Sequence, residues 1–393
     1  MIMLRDFLRA YFIKKAKKAG LFSDDNKDCI VFFGHYPLTE KEAADGYCQR
    51  ILAIDDLFPD FHRIYINIGK EKGFFIETHN GNTVAMVSRI NFLSLPIIIG
   101  ALFRATALYV HSIHSIVLDI RLILFLLFSR KAVIDLHGAV PEELAMQETS
   151  PRLRVLFSGV EWLALNLAPR FVAVTQAMCQ HFRRKYKRAG KKEWVVLPIF
   201  NSRKVPYEAK AYNIPSVVYA GGIQPWQNIP QMLSIIRQYP DIACYHIYLS
   251  QKLDLDSISY GDISGIKSVK FGFCQPSDMP EMYGSMHFGF ILRSNSIVNR
   301  VACPTKLIEY LANGVVPIMD FPEIGDFLEH GMRYVSVDTL EKTSLPDVAE
   351  RERMAQENFL VLDKIAAQSS EGKQKLVQLM EAGRLQNQSR EFA

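Results

Sequence analysis

A chain of 393 residues that is 49% hydrophobic and 22% charged can bury two or three ordinary cores, and its composition excludes wholesale disorder. The net charge of +5 resides in residues 1–20, where Arg5, Arg9, Lys14, Lys15, Lys17 and Lys18 meet only Asp6; the neutral remainder argues against a nucleic-acid surface running across the fold. Six scattered cysteines (Cys29, Cys48, Cys179, Cys244, Cys274, Cys303) without a C-x-x-C pair suggest buried thiols in a reducing compartment, and neither a disulfide framework nor a zinc site.

Residues 1–20 also carry Leu4, Phe7, Leu8, Tyr11 and Phe12 at helical spacing. A basic amphipathic helix of this kind suits an anionic membrane face, or else packs on the first domain as a solvated helix. Charge interrupts its apolar residues and no cleavage site follows, unlike a secretory signal. Residues 92–128 are apolar but broken by Pro96, Arg104, His111, His114, Asp119 and Arg121. Their longest clean run, Leu122–Phe128, is seven residues, against roughly 20 for a spanning helix, so strand and buried helix are expected here.

Short β-branched or aromatic runs alternate with helical stretches throughout. The first series is Cys29–Phe33, Arg63–Asn67, Ala107–Val110, Lys131–Leu136, Phe171–Thr175 and Trp194–Leu197; the second is Ser216–Ala220, Ala243–Leu249, Ser268–Phe271, His287–Leu292, Val315–Met319 and Tyr334–Val337. Strands spaced by helices imply right-handed crossovers and parallel sheets. The expected class is α/β: two doubly wound parallel-sheet Rossmann-like domains facing a central cleft. Their bounds are 1–199 and 216–345, joined by a polar linker at 200–215 and followed by helices over 346–393. Ligands of such sheets bind outside the carboxyl ends of the strands.

Four strand ends carry candidate chemistry. After Cys29–Phe33 a loop of about twelve residues reaches Asp45-Gly46-Tyr47, longer than the usual two to six. Gly46 either lets the backbone approach a phosphate or sugar or, with Asp45, simply caps the next helix. His137 follows Lys131–Leu136 and is placed for a ligand contact or a loop hydrogen bond. Gly221-Gly222 follow Ser216–Ala220 and can admit a phosphate, with Trp226 to stack on a base or sugar, or form a plain turn with a packing tryptophan. Arg293 follows His287–Leu292, with Asn299-Arg300 beyond it.

Next comes Pro304-Thr305-Lys306-Leu307-Ile308-Glu309-Tyr310-Leu311-Ala312-Asn313-Gly314. Proline suits a first helical turn, Leu307, Ile308 and Leu311 form an apolar face, and Gly314 can take the left-handed conformation that ends the helix. The helix would aim its positive end, four free amides and Lys306 at a diphosphate, with Glu309 three residues on for sugar hydroxyls.

The pattern Pro-x-Lys-x-x-Glu-Tyr-Leu-x-x-Gly, late in a chain of this size, resembles the donor-site helix of family-4-like retaining glycosyltransferases with two Rossmann domains (the GT-B arrangement), of the bacterial surface-polysaccharide kind. The resemblance implies transfer of a sugar from a nucleotide diphosphate donor to a hydroxyl of a polysaccharide or lipid-linked acceptor, with retention and without metal or cofactor. It further implies a glycine loop at Gly46 over the donor, His137 touching the transferred sugar, Glu309 on the ribose, and a last helix crossing back to the first domain. Two departures stand out. The Gly221 loop lacks the family's arginine and lysine, which leaves Arg293, Arg300 and Lys306 for the diphosphate, with Arg293 and Lys306 favoured. The earlier of the family's two glutamates is Val301 here, so a nucleotide-sugar 2-epimerase or an inactive donor-binding or membrane-scaffold relative stays open. The expected catalytic set is His137, Arg293 and Lys306; the donor set is Gly46, Gly221, Gly222, Trp226, Arg293, Pro304, Thr305, Lys306 and Glu309. The expected setting is cytoplasmic, at the inner face of the cell membrane through residues 1–20. Asp254-Leu255-Asp256 matches a metal-binding D-x-D pattern, but one that belongs to another fold, and no metal role is expected of it.

Overall fold

The computed structural model describes residues 2–23, 28–43, 45–69, 73–88, 92–117, 120–199, 211–249, 263, 265–272, 278–342 and 345–391. Asp254, Asp256 and most of the expected linker lie outside them. The first half runs α1 (Ile2–Lys18), β1 (Cys29–Phe33), α2 (Glu40–Ala43), α3 (Gly46–Asp55), β2 (His62–Gly69), β3 (Phe74–His79), β4 (Asn82–Ser88), α4 (Leu95–Arg104), β5 (Ala107–His111), α5 (Ile120–Phe128), β6 (Ala132–Leu136), α6 (Val140–Met146), α7 (Pro151–Leu167), β7 (Arg170–Ala173), α8 (Gln176–Lys185) and β8 (Glu193–Val196). The second runs β9 (Ser216–Gly221), α9 (Ile229–Gln238), β10 (Cys244–Leu249), β11 (Val269–Gly272), α10 (Met279–Gly284), β12 (Phe288–Phe290), α11 (Ile297–Arg300), α12 (Thr305–Ala312), β13 (Val316–Met319), β14 (Val335–Ser336), α13 (Val337–Lys342) and α14 (Val348–Glu391).

These strands form two sheets, ordered β3-β4-β2-β1-β5-β6-β7-β8 and β11-β10-β9-β12-β13-β14. Every pairing is parallel except β3 with β4. All twelve expected strands form, and the α/β, doubly wound class holds. The β3–β4 hairpin was not anticipated. It turns on Asn80-Gly81, both at positive φ (49° and 78°), the backbone that matches the twist of a two-residue hairpin. The dipeptide was the available signal.

Both faces of each sheet are covered, which is why β1, β5 and β6 are buried at every position and largely apolar. One face of the first sheet packs on α1, α4, α5, α7 and α8. Its other face packs on α3 and, near Leu376 and Met380, on α14, which returns from the second half. Gly372 permits that return, since a methyl group there would lie 2.3 Å from the Val196 carbonyl oxygen.

Two helices differ from their sequence reading. In α1 the apolar residues occupy two sides: Ile13 and Ala16 join the core over α4, while Phe7, Leu8 and Tyr11 face solvent. In 92–128 the expected buried helix is α4, with Ile98, Ala101 and Leu102 enclosed; α5 is only half buried, with Leu124 and Phe125 enclosed but Ile123, Leu126 and Leu127 exposed. Among the described residues no helix is long and apolar enough to cross a membrane.

Candidate functional site

The two halves meet where α11 passes into α12. Val301 is buried within the core of the first sheet, and its carbonyl accepts a hydrogen bond from Thr175 Oγ1 at 2.7 Å. Asp326 caps the start of α8, accepting from the Gln176 and Ala177 amides at 2.6 and 2.8 Å, so a carboxylate of one half neutralises the positive helix end of the other. Val301, standing at the position of the resembled family's first glutamate, is therefore a packing residue between the halves.

On the second half, β9, β12 and α12 bring a cationic group together. Lys306 is 9% exposed, and among the described residues its Nζ has no hydrogen-bond partner; it rests 3.8 Å from the centre of the Tyr219 ring. Gly221 at φ +147° leaves room for it, because a methyl group at that position would lie 2.5 Å from Nζ. Burial, then the neighbouring Arg293, push the Lys306 pKa well below its ordinary value against the pull of Glu309. Arg293 is equally buried; its Nη1 donates to Asn299 Oδ1 at 3.3 Å, and burial lowers its pKa to about 10. Two desolvated cations side by side make a site that gains from an anion. Glu309, half-buried, accepts from the Tyr283 hydroxyl at 3.3 Å, and burial raises its pKa against the opposing effects of Tyr283 and Lys306.

Pro304 is the N-cap of α12 and Thr305, exposed, its first residue. The Pro304 carbonyl already accepts from Leu307 and Ile308 at 3.1 and 3.3 Å, so the amides of Thr305 and Lys306, not four, are left for a ligand. Gly314, at φ +65°, ends the helix as expected. The Gly222 carbonyl accepts from the Tyr219 hydroxyl, and Trp226 sits half-buried on the following turn, Pro225–Gln227. Arg300 is turned outward, donating to Asn295 Oδ1 at 2.8 Å with its guanidinium over the Phe321 ring.

On the first half, His137 belongs to a cluster at the carboxyl ends of β5 and β6. Its centre is Asp135, which is fully buried. Arg50 donates to it twice, Nε to Oδ2 at 3.1 Å and Nη2 to Oδ1 at 3.0 Å, and the Tyr109 hydroxyl adds a bond at 3.0 Å. His137 Nε2 lies 3.2 Å from Oδ2 but off the hydrogen-bond direction, so that contact is electrostatic. Burial alone would raise the Asp135 pKa; Arg50 and then His137 outweigh it and hold the carboxyl well below the usual range. Tyr47 packs on His137 with ring centres 5.2 Å apart and donates to the His111 carbonyl at 3.0 Å. Beside it, Gly46 opens α3 behind the Asp45 cap; a methyl group there would meet nothing within 4 Å, so no contact among the described residues requires glycine.

Asp135, Arg50, Tyr109 and Tyr219 were not anticipated. One signal existed for the first, a lone carboxylate inside the apolar run Ala132–Leu136. His111, Asp135 and His137 place potential ligand atoms within 4.8 Å of one another, a grouping that sequence spacing had not suggested. Both Asp135 oxygens already accept from Arg50, however, and the guanidinium supplies the positive charge a metal would bring.

Between the two clusters stands Cys303. Burial raises its thiol to about 12, opposed by the Ile199 amide, Arg50 and Arg293, so both arginines lie within electrostatic reach of one sulfur. A separate cavity of about 320 Å³, between β8, α8 and α14, contains none of these residues.

His111 supplies a pH test. Burial takes its pKa from 6.5 to about 3, against the pull of Asp135. The folded value is below the unfolded one, so stability is complete above about pH 6.5 and is lost as pH falls toward 3. Between pH 7 and 4.5 this imidazole should cost about 2–3 kcal/mol. Urea unfolding at the two pH values should show a shallower loss for His111→Leu; equal losses would exclude this cause.

No protein-family model matches the sequence, and no curated protein does either. Solved structures share its shape. HepE of Anabaena, crystallised with UDP-glucose, matches at TM-score 0.55 and 14% identity over 92% of this chain and 99% of HepE. A UDP-forming α,α-trehalose-phosphate synthase from Burkholderia xenovorans matches at TM-score 0.58 and 12% identity over 91% and 99%. This chain has the GT-B fold. A chain of the GtfA/B complex matches less completely, at TM-score 0.50 and 13% identity; 71% of this chain is covered, and the match spans 57% of that one. In GT-B terms the cationic group belongs to the second Rossmann-like half and the Asp135 cluster to the first.

Proposed function

We propose that this protein is a glycosyltransferase that moves a sugar from a nucleotide diphosphate donor to a hydroxyl of a polysaccharide or lipid-linked acceptor, with retention and without a metal. The observation that carries this reading is the buried Lys306 ammonium, without a hydrogen-bond partner among the described residues, beside Arg293 and at the N-terminus of α12. A diphosphate lying there would meet Lys306, Arg293 and the Thr305 and Lys306 amides, with Gly221 and Gly222 keeping the opposite wall clear and Glu309 available to the ribose. As the sugar departs, negative charge grows on the leaving phosphate, where fixed cations and a helix end stabilise it without reorganisation. His137, held by Asp135 and Tyr47, orients the transferred sugar from the other half. This reading has the protein work in the cytoplasm, at the inner face of the cell membrane.

HepE was solved with UDP-glucose and the Burkholderia synthase is UDP-forming, which supports uridine as the first base to try. Thermal shift against UDP, GDP and CDP tests the reading. A nucleotide at 100 times its dissociation constant adds about 2.7 kcal/mol of stability. No shift with any of the three sinks the proposal.

Val301 favours one second reading. Its burial between the halves leaves no carboxylate at that position, as a donor-binding relative without transferase activity would have it. Labelled UDP-sugar that binds but is neither hydrolysed nor transferred would select that reading.

A further inference from the structure

Apart from the donor site, the first half presents an apolar surface that no described residue covers. Phe7, Leu8 and Tyr11 of α1 face solvent, Phe7 at 68% exposure. Leu126 and Leu127 of α5 do so too, Leu127 at 64%, and Leu93, just before α4, is 88% exposed. The Phe12 ring of α1 stacks on Phe103 of α4 at 6.2 Å, and Phe103 meets Phe128 of α5 edge-on at 5.2 Å, so the three helices form one continuous band.

The charge around this band is predominantly positive, with Asp6 and Asp119 the acids of its sequence. Asp6 is the only acid in α1, and residues 78–118 and 120–134 contain none. Arg9, Lys14, Lys15, Lys18 and Arg130 are exposed at its margins. At 100° per residue, Lys14, Lys15 and Lys18 lie on the same side of α1 as Phe7, Leu8 and Tyr11. Apolar side chains flanked by snorkelling cations suit the boundary between acyl chains and anionic headgroups. A second copy of this chain would bring the same cations face to face, and a spanning role is closed to helices of ten and nine residues.

We infer that the α1–α4–α5 band docks the protein on an anionic lipid bilayer, with α5 and Leu93 as necessary as α1. α5 runs from the carboxyl end of β5 to the amino end of β6, so docking would set against the membrane the outer flank of the first sheet, the face opposite α3 and α14. The docking itself does not depend on the donor-site reading, and its test uses no nucleotide.

Co-sedimentation of the full chain with phosphatidylcholine vesicles, with and without phosphatidylglycerol, decides it. Binding is expected only with phosphatidylglycerol and should weaken as salt rises. Leu126→Ser/Leu127→Ser and Phe7→Ser/Leu8→Ser should each reduce partitioning roughly tenfold or more. Leu93→Ser, at a position 88% exposed, should weaken binding with unchanged thermal unfolding, which covers failure of a double variant to fold. Equal binding to neutral vesicles overturns the inference. So does undiminished binding of both Leu126→Ser/Leu127→Ser and Leu93→Ser, which would leave α1 acting alone. A dimer dissolved by Leu126→Ser/Leu127→Ser, without vesicle binding, overturns it as well.

Discussion

Lys306→Met is expected to bind UDP roughly ten- to a hundredfold more weakly than the wild type and yet to unfold at a higher temperature. Loss of a charge-assisted hydrogen bond removes about 1.5–3 kcal/mol, which gives the range in affinity. The gain in stability has a different source. In the free protein the ammonium is buried beside Arg293 with the Tyr219 ring beneath it, and its pKa is depressed. A folded-state value below the unfolded one means that stability is fully present above about 10.5 and is lost as pH falls through the lowered value. Neutral pH is therefore on the costly side, and methionine removes the cost while filling similar volume. Wild-type UDP affinity should also decline as pH rises through the lowered Lys306 value, with proton uptake on binding; calorimetry in buffers of different ionisation enthalpy measures it. Wild-type affinity in Lys306→Met would remove this lysine from the site, and a lower melting temperature would remove the account of its cost.

The second large effect concerns the first half. Arg50→Met and Asp135→Asn should each destabilise the fold by about 3–5 kcal/mol, because each leaves a buried partner without compensation. The double change Arg50→Met/Asp135→Leu should cost less than the two single ones together. Arg50 also donates to the Leu197 carbonyl at 2.9 Å, at the end of β8, so its loss reaches beyond the ion pair. The Asp135 contribution has a defined window: its folded pKa is depressed, so it is complete above the unfolded value near 3.9 and is lost below it. Urea unfolding at pH 7 is the measurement, and a loss under about 1 kcal/mol in either single variant would show that the pair is structurally dispensable.

Much of the donor-side geometry was legible because it is local. The start and apolar face of α12 (Thr305–Ala312) and its stop at Gly314 are written in adjacent residues, and Lys306 and Glu309 share a side by helical geometry alone. The β3–β4 hairpin was legible too, in Asn80-Gly81. What Lys306 rests on was not legible, since Tyr219 and Gly221 come from a strand more than eighty residues earlier.

Alternation of apolar runs with helical periods is enough by itself to require two parallel sheets, because a strand buried on both faces and returned through a helix admits few other arrangements. Pairing across the fold is another matter. Arg50 and Asp135 are 85 residues apart, and Arg50 and Leu197 are 147 apart, so only the assembled sheet could bring a carboxylate in an apolar run to its guanidinium. The same holds for surfaces. Val301 and Leu127 are both apolar in sequence, yet one is enclosed between the two halves and the other faces solvent. Local pattern reports which residues avoid water; packing decides which of them succeed.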